Sequence, residues 1–190
     1  MNSGIPIIRL QNVARNRFLE KNIKFITHDK ADELQRHNFV AGDIAITKLG
    51  DPLGKAAIIP PSLSRGVIVA DIVRLRVDEE YADPRYLTYA INSPDVCDEL
   101  AEKTKGTTRP RVNLGHIRSL QIPVAPLTEQ KRIADKLDAI LVRVDDCRER
   151  LDRVPAILKG FRRAVLAAAV PRAAGDRAAQ RRARARKSVV

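Results

Sequence analysis

The chain is 190 residues long and 44% hydrophobic, which is enough for one globular domain and an appendage. It has no Trp, three Tyr and four Phe, so its core must be aliphatic. The net charge of +12 favours a polyanionic partner, usually nucleic acid. No apolar run approaches the ~18 residues of a membrane-spanning helix, and no secretory signal follows Met1, so we expect a cytoplasmic protein. Cys97 and Cys147 lack metal-type spacing and are expected to be reduced.

The first 124 residues carry the pattern of a β-rich domain. Short apolar runs alternate with turn residues, and each run has the length of a strand. Between Val67 and Val73 nearly every position is apolar or small, which predicts a strand buried on both faces. The predicted strands are Ile5–Leu10, Ile23–Thr27, Asp43–Thr47, Ala56–Pro60, Gly66–Val77 and Leu120–Val124.

One helical segment interrupts these strands. Asp83 is a suitable N-cap and Pro84 suits the first turn of the helix. A break is predicted near Ser93-Pro94, after which the helix can continue from Val96 to Lys103. Gly106 then closes the segment.

From Leu127 to Ala169 the period changes to that of a coiled coil. Apolar residues recur at alternating steps of 4 and 3, with charged residues between them. A helix packed flat on a core favours a broader stripe, so the narrow seam favours a partner helix, with the packed helix as the alternative. Pro155 predicts a bend rather than an end, because the register continues beyond it. The seam residues are Ile133, Leu137, Ile140, Val144, Cys147, Leu151, Val154, Leu158, Phe161 and Val165.

The last 20 residues, 171–190, are rich in Ala and Arg and have no apolar periodicity. They contain seven basic residues and one acidic residue, Asp176. We interpret them as a disordered basic tail. Two interpretations of its role remain open, namely non-specific attraction to DNA phosphates and a solvated end without function.

Three stretches together resemble the specificity subunits of Type I restriction-modification systems. Residues 4–9, Gly-Ile-Pro-Ile-Ile-Arg, are similar to the opening G-x-P-x-I-R strand of the family. Residues 42–57, from Gly-Asp-Ile-Ala-Ile-Thr-Lys to Gly-Lys-Ala-Ala, are similar to its glycine-containing hairpin. Residues 106–130 run from Gly-Thr-Thr-Arg-Pro to Pro-Leu-Thr-Glu-Gln and resemble the junction with a long helix. The order and spacing of the three make the resemblance specific, and it covers about 165 of the 190 residues.

This resemblance implies an α/β (α+β) fold and a domain order. A target-recognition domain of mixed and antiparallel strands would occupy residues 1–124, a coiled-coil helix with a kink near 155 would occupy 125–170, and the tail would follow over 171–190. Full-length members carry two recognition domains and two long helices, so the chain looks like a half-size form with one of each.

The resemblance also implies a division of labour with partner subunits. This chain would catalyse nothing and would need neither a metal nor a cofactor of its own. Methyltransferase subunits would bind S-adenosylmethionine and flip the adenine for N6 methylation, and a restriction subunit can join them.

Within the family the recognition domain grips one half of a bipartite site in double-stranded DNA. Three segments have side chains suited to base edges and phosphates. For the turn Gly50–Gly54 the alternative is a tight strand connection with positive φ, and for the segment around Gly106 it is a solvated loop. The candidate DNA-binding residues are Asn12, Arg15 and Arg17, then Thr47, Lys48 and Lys55, and then Lys105, Thr107, Thr108, Arg109 and Arg111.

The long helices of the family pair antiparallel and fix the distance between two recognition domains. A chain with one such helix leaves its seam unsatisfied, which favours a two-fold antiparallel homodimer. Two identical readers related by a dyad would recognise a palindromic bipartite site.

Enzyme functions find little support in the sequence. His28, His37 and His116 lie in polar segments, with no Cys or carboxylate at ligand spacing. Two alternatives to a DNA reader stay open. One is a protein-interaction module whose coiled coil is the binding part, and the other is a truncated remnant of a specificity subunit that no longer assembles.

Overall fold

The computed structural model describes residues 4–104 and 110–187, with side chains described up to residue 168. The chain divides into two compact units, Met1–Leu137 and Asp138–Val190. No helix among the described residues is both long enough and apolar enough to cross a membrane.

The described residues of the first unit, 4–104 and 110–137, form nine short strands. Four of them form a mixed sheet in the order β4-β1-β8-β5, in which β1 and β8 run parallel. Three form an antiparallel sheet in the order β7-β6-β9, and β2 and β3 form a separate hairpin. The strands are β1 (Ile5–Ile8), β2 (Val13–Ala14), β3 (Arg17–Phe18), β4 (Lys24–Ile26), β5 (Asn38–Val40), β6 (Ile44–Thr47), β7 (Ala56–Ile58), β8 (Arg65–Ile68) and β9 (Ile72–Leu75).

Five α-helices accompany these strands in the part of the chain that the structure describes. The Asp83 side chain caps the helix that begins at Pro84, as predicted. At the predicted break, the Ser93 side chain caps a second helix that begins at Pro94. The helices are α1 (His28–Glu33), α2 (Pro84–Ile91), α3 (Pro94–Glu102), α4 (Leu114–Arg118) and α5 (Leu127–Lys187). This architecture confirms the predicted α/β fold with a long C-terminal helix.

The single strand predicted over Gly66–Val77 is wrong, because the chain changes sheets within it. Strand β8 ends at Ile68 between β1 and β5, and β9 begins at Ile72 beside β6. A turn closed by the bond from the Ile72 N–H to the Val69 carbonyl separates them. Strand β8 is buried from Gly66 onward and β9 is buried or half-buried throughout, so the apolar run carries no sign of the change.

The strand predicted over Leu120–Val124 is also wrong. These residues have no regular structure, yet Ile122 packs on the core cluster of Ile44, Ile46 and Ile91. Its apolar character therefore reflects packing rather than pairing in a sheet.

Helix α5 runs without interruption through Pro155 and on to Lys187. The register therefore survives the proline, as predicted from the heptads. The disordered basic tail expected over 171–190 stays a prediction.

Candidate nucleic-acid interface

The β2–β3 hairpin presents two of the predicted DNA-binding arginines. Its tip is Arg15–Asn16, and Asn16 adopts a left-handed φ of 56°, which Asn tolerates better than most residues. The side chains of Arg15 and Arg17 are both exposed. A guanidinium N–H of Arg15 also donates to Sγ of the buried Cys97 at 2.9 Å, so this arginine lies along helix α3.

Asn92 ties that hairpin to strand β7. Its Nδ2 donates to Asn16 Oδ1 at 2.6 Å, to the Ala56 carbonyl at 2.8 Å and to the Thr88 carbonyl at 2.9 Å. Its Oδ1 accepts the Ala56 N–H at 3.0 Å, and the backbone N–H of Asn16 donates to the Ala56 carbonyl at 3.0 Å. This buried amide at the end of α2 was not among the predicted site residues, and its partners lie up to 76 positions away.

The loop between β6 and β7 carries Lys48 and Lys55, whose side chains are half-buried. It is closed by a hydrogen bond from the Thr47 N–H to the Lys55 carbonyl at 2.9 Å. Gly50 and Gly54 have φ values of +123° and +71°, which few other residues adopt. These angles fit a tight strand-to-strand turn, and contact of this loop with DNA stays a prediction.

The segment that carries Arg111 pairs with the start of the same loop. The Val112 N–H donates to the Lys48 carbonyl at 3.0 Å, and Leu49 forms an antiparallel bridge with Arg111. The Arg111 guanidinium donates to Asp71 Oδ1 at 2.5 Å, and both side chains are partly exposed. The acidic partner is an unpredicted feature that offsets the charge of Arg111 at this surface.

The three predicted segments are therefore joined through β6 and β7. The hairpin bonds to Ala56 at the start of β7, and the Arg111 segment bonds to Lys48 at the end of β6. Lys105, Thr107, Thr108 and Arg109 lie outside the described residues. The predicted residues that remain exposed or half-buried are Arg15, Arg17, Lys48, Lys55 and Arg111.

Two residues that were predicted to bind DNA are buried, which corrects the prediction for both. Asn12 is 0% exposed, and its Nδ2 donates to the Leu19 and Lys21 carbonyls at 3.0 Å each. Its Oδ1 accepts the Arg9 N–H, so the whole amide supports the loop after β1. Thr47 is 1% exposed within β6. Neither side chain can reach a base edge in this fold.

Two further arginines are held by Asp43. This carboxylate is 2% exposed and accepts two hydrogen bonds from Arg76, at 2.9 and 3.1 Å. Hydrogen bonding and attraction to Asp43 raise the pKa of Arg76 above its ordinary value. Arg74 lies 3.9 Å from the same carboxylate. Because these two cations balance a buried charge, they are not candidates for contact with DNA.

The start of α5 is fastened to the N-terminus of α2. Gln130 is 1% exposed, and its Oε1 accepts the Asp83 N–H at 2.9 Å. Its Nε2 donates to the Ala125 carbonyl at 2.8 Å. One turn later on the same face Ala134 is 0% exposed, and beyond it Asp135 pairs with Arg85 at 2.7 Å.

The carboxylate of Asp83, which caps α2, stays ionised to a lower pH than an ordinary aspartate. Burial alone would raise its pKa, but hydrogen bonds from the Arg85 side chain and from the backbone N–H groups of Arg85 and Tyr86 outweigh burial. The net effect lowers the pKa of Asp83. The N-terminal end of α2 therefore holds a charge that stabilises the fold above acidic pH.

In the second unit, helix α5 exposes a continuous set of large apolar side chains. The predicted seam residues from Ile140 onward are exposed, whereas Ile133 and Leu137 are half-buried and belong to the first unit. Side chains this large are seldom left in water along a whole helix face. The exposed fractions are 46% for Ile140, 36% for Val144, 67% for Leu151, 41% for Val154, 56% for Leu158, 66% for Phe161 and 48% for Val165.

Comparison with known proteins assigns this architecture to a family. The family model of the Type I restriction modification DNA specificity domain matches residues 1–151. The chain belongs to this family. The match covers the strands, the hairpin and the first turns of α5, so the resemblance seen in the sequence is confirmed.

Relatives within the specificity family are longer than this chain. It is 32% identical over 171 residues to the Type I restriction enzyme StySPI specificity subunit of Salmonella potsdam, covering 87% of this chain and 36% of that protein. It is 28% identical to the EcoKI specificity subunit of Escherichia coli K12 over the same shares. The chain thus spans about a third of the length of the curated relatives it matches.

Solved structures of the specificity family share the fold. The HsdS subunit from Thermoanaerobacter tengcongensis aligns with a TM-score of 0.63 at 24% identity, over 76% of this chain and 37% of that chain. A likeness at this identity supports the architecture described above.

Proposed function

We propose that the chain reads one half of a bipartite DNA site as the specificity subunit of a Type I restriction-modification complex. The observation that carries the proposal is the meeting of three basic segments at one edge of β6 and β7. Arg15 and Arg17 project from the hairpin there, and Lys48, Lys55 and Arg111 come from the adjoining loop and segment. Exposed and half-buried cations on a hydrogen-bonded support suit phosphate anchoring and readout of the major groove.

The chain itself performs no catalysis in this proposal. Methyltransferase subunits bind S-adenosylmethionine and modify adenine, and a restriction subunit can join the complex. Assembly with such subunits is supported by a second solved structure of the same fold, which concerns complex assembly and conformational transition of a Type I system. We place the protein in the cytoplasm, where such a complex meets DNA.

The exposed seam of α5 supports an antiparallel homodimer. Residues 138–152 contain five acidic and three basic residues, which gives −2, whereas residues 153–168 contain four basic and no acidic residues, which gives +4. A parallel pair would set the two basic segments side by side. An antiparallel pair sets each basic segment against an acidic one, which favours that orientation.

One register of this dimer pairs every seam layer from Ile140 to Val165. In an antiparallel coiled coil, positions a and d of the two helices alternate across the interface. With the dyad between Asp152 and Arg153, Leu151 of one chain meets Val154 of the other, Cys147 meets Leu158, Val144 meets Phe161 and Ile140 meets Val165.

Cross-linking tests this register. In a Cys147→Ser background, a Leu151→Cys chain is mixed with a Val154→Cys chain and oxidised. We expect a disulfide-linked dimer, because directly paired layers bring Cα atoms within disulfide reach. The matched control replaces the second chain with Phe161→Cys, which the register places one heptad away. Equal yields from both mixtures, or none from either, would contradict the proposed pairing.

Selection from a random DNA library tests the reader function. The purified chain is expected to enrich a sequence with two mirrored halves and a fixed gap, with an affinity that falls steeply as salt rises. Enrichment of a single half would keep the reader and remove the homodimer. Salt-insensitive or sequence-independent binding by a folded dimer would favour the protein-interaction module, and a folded chain that neither binds DNA nor dimerises would favour the remnant.

A further inference from the structure

The junction between the recognition domain and the start of α5 contains a buried amide that the reader function leaves unexplained. Gln130 is 1% exposed although it lies in the first turn of a helix that is otherwise largely exposed. Burying a glutamine costs free energy unless its hydrogen-bonding groups find partners. Its position therefore needs a reason beyond surface chemistry.

The partners of Gln130 come from two different parts of the first unit. Its Oε1 accepts the backbone N–H of Asp83, the N-cap residue of α2. Its Nε2 donates to the carbonyl of Ala125, in the segment that leads into α5. A longer contact of 3.4 Å reaches the Tyr81 carbonyl. A single side chain thus links the first turn of α5 to the loop before α2 and to its own approach segment.

A second bond supports the same joint on the surface. Arg85, in the first turn of α2, pairs with Asp135 of α5 at 2.7 Å while another of its nitrogens holds Asp83 at 2.9 Å. The Tyr86 hydroxyl donates to the Pro123 carbonyl at 2.8 Å. Together these bonds fix the first turns of α5 to α2 along two sides, one buried and one exposed.

We propose that Gln130 is a positioning residue that sets the gap length between the two DNA half-sites. This inference rests on the proposed function, because it takes α5 as the spacer between two readers. The helix rises about 1.5 Å per residue, so Arg153 at the proposed dyad lies about 34 Å along the axis from Gln130. A tilt of about 10° at Gln130 therefore displaces that end by about 6 Å, which exceeds the roughly 3.4 Å spacing of one base pair.

The first measurement reads the joint without DNA. Spin labels are placed at Ala101 and Arg153 in a Cys147→Ser background, and labelled chain is diluted into unlabelled chain so that only distances within one chain are read. The variant is Gln130→Met, which keeps the length of the side chain and removes both hydrogen bonds. The matched control is Gln121→Met at an exposed glutamine. We expect the distance distribution to broaden at least twofold for Gln130→Met and to stay unchanged for Gln121→Met.

The second measurement reads the gap itself by mapping adenine methylation in cells that also express the cognate methyltransferase subunit. We expect Gln130→Met to raise, at least threefold relative to the parent, the methylated fraction of sites whose gap differs by one base pair. Asp135→Ala, which removes the exposed bond from Arg85 and leaves the buried contacts of Gln130 in place, is expected to shift both readouts in the same direction by less. If Gln130→Met is insoluble, the Asp135 variant tests in its place whether the joint sets the gap length.

The outcomes separate this proposal from the function on which it rests. Unchanged distance distributions in folded variants overturn the positioning role, whatever DNA motif is found. Broadened distributions with an unchanged gap preference overturn the link to gap length. Absence of any bipartite motif for the parent chain would overturn both the proposed function and the gap role, and the distance measurement would still show whether Gln130 holds the joint.

Discussion

Replacing Asn92 by Ala is expected to lower the stability of the first unit and to weaken the attachment of the arginine hairpin to β7. The change removes one hydrogen bond to the Ala56 N–H and three from Nδ2 to Asn16, Ala56 and Thr88. The Ala56 carbonyl keeps the Asn16 N–H, and the Thr88 carbonyl keeps the backbone N–H of residue 92. The Ala56 N–H is buried on the side of β7 that faces α2, and it loses its acceptor, Asn92 Oδ1.

The expected magnitude follows from these partners. A buried N–H without a partner costs about 1–3 kcal/mol, and the two hydrogens of Nδ2, which are shared among three acceptors, contribute at most about 1 kcal/mol each. We therefore expect Asn92→Ala to lower the free energy of unfolding by about 3 kcal/mol. Asn92→Asp is expected to cost a similar amount, because its carboxylate would face three acceptor oxygens.

Urea unfolding followed by far-ultraviolet circular dichroism measures this loss. The matched control is Asn113→Ala, which removes the N-cap bond from the His116 N–H at the start of α4 and an exposed contact with the His116 ring, and should cost about 1 kcal/mol. A loss for Asn92→Ala no larger than that of the control would refute the role assigned to Asn92.

Three further results are expected from single substitutions. Arg17→Ala should weaken DNA binding and lower the slope of log affinity against log salt by about 0.9 for one lost phosphate contact, and an unchanged slope would remove Arg17 from the interface. Asp71→Asn should strengthen binding and steepen the slope, because Arg111 would lose its acidic partner, and weaker binding would contradict that interpretation. Because the pKa of Asp83 is lowered in the folded state, its charge stabilises the fold above the unfolded pKa of about 3.9 and this contribution is lost as pH falls through the folded value. The stability difference between the parent and Asp83→Asn, which keeps the cap, should therefore be constant near neutral pH and vanish in acid, and a difference independent of pH would show that the charge does not matter.

Local signals in the sequence predicted the helices and the family well. Asp83 and Ser93 cap helices because the capping bond involves residues only two or three positions away. The heptads of α5 likewise depend on neighbouring turns, and the register holds through Pro155. These features needed no knowledge of tertiary contacts.

The details of the interface depended on contacts distant in sequence. Asn12 looked like a base-reading amide because it follows a strand, but the fold turns it inward onto the Leu19 and Lys21 carbonyls. Asn92 and Gln130 had no motif that marked them as buried, since their partners lie tens of positions away. Gln130 is the last residue of the third family-like stretch. The one sequence signal for its burial is its place in the first turn of a helix that follows two prolines.

The central claim is that this chain chooses the DNA sites that a methyltransferase modifies. It is tested most directly by a genome-wide map of N6-methyladenine in cells that express the chain with its cognate methyltransferase subunit, compared with cells that lack the chain. We predict a new methylated motif with two mirrored halves and a fixed gap. If the proteins are soluble and associated but no new motif appears, the chain does not read DNA for the methyltransferase and the central claim is contradicted.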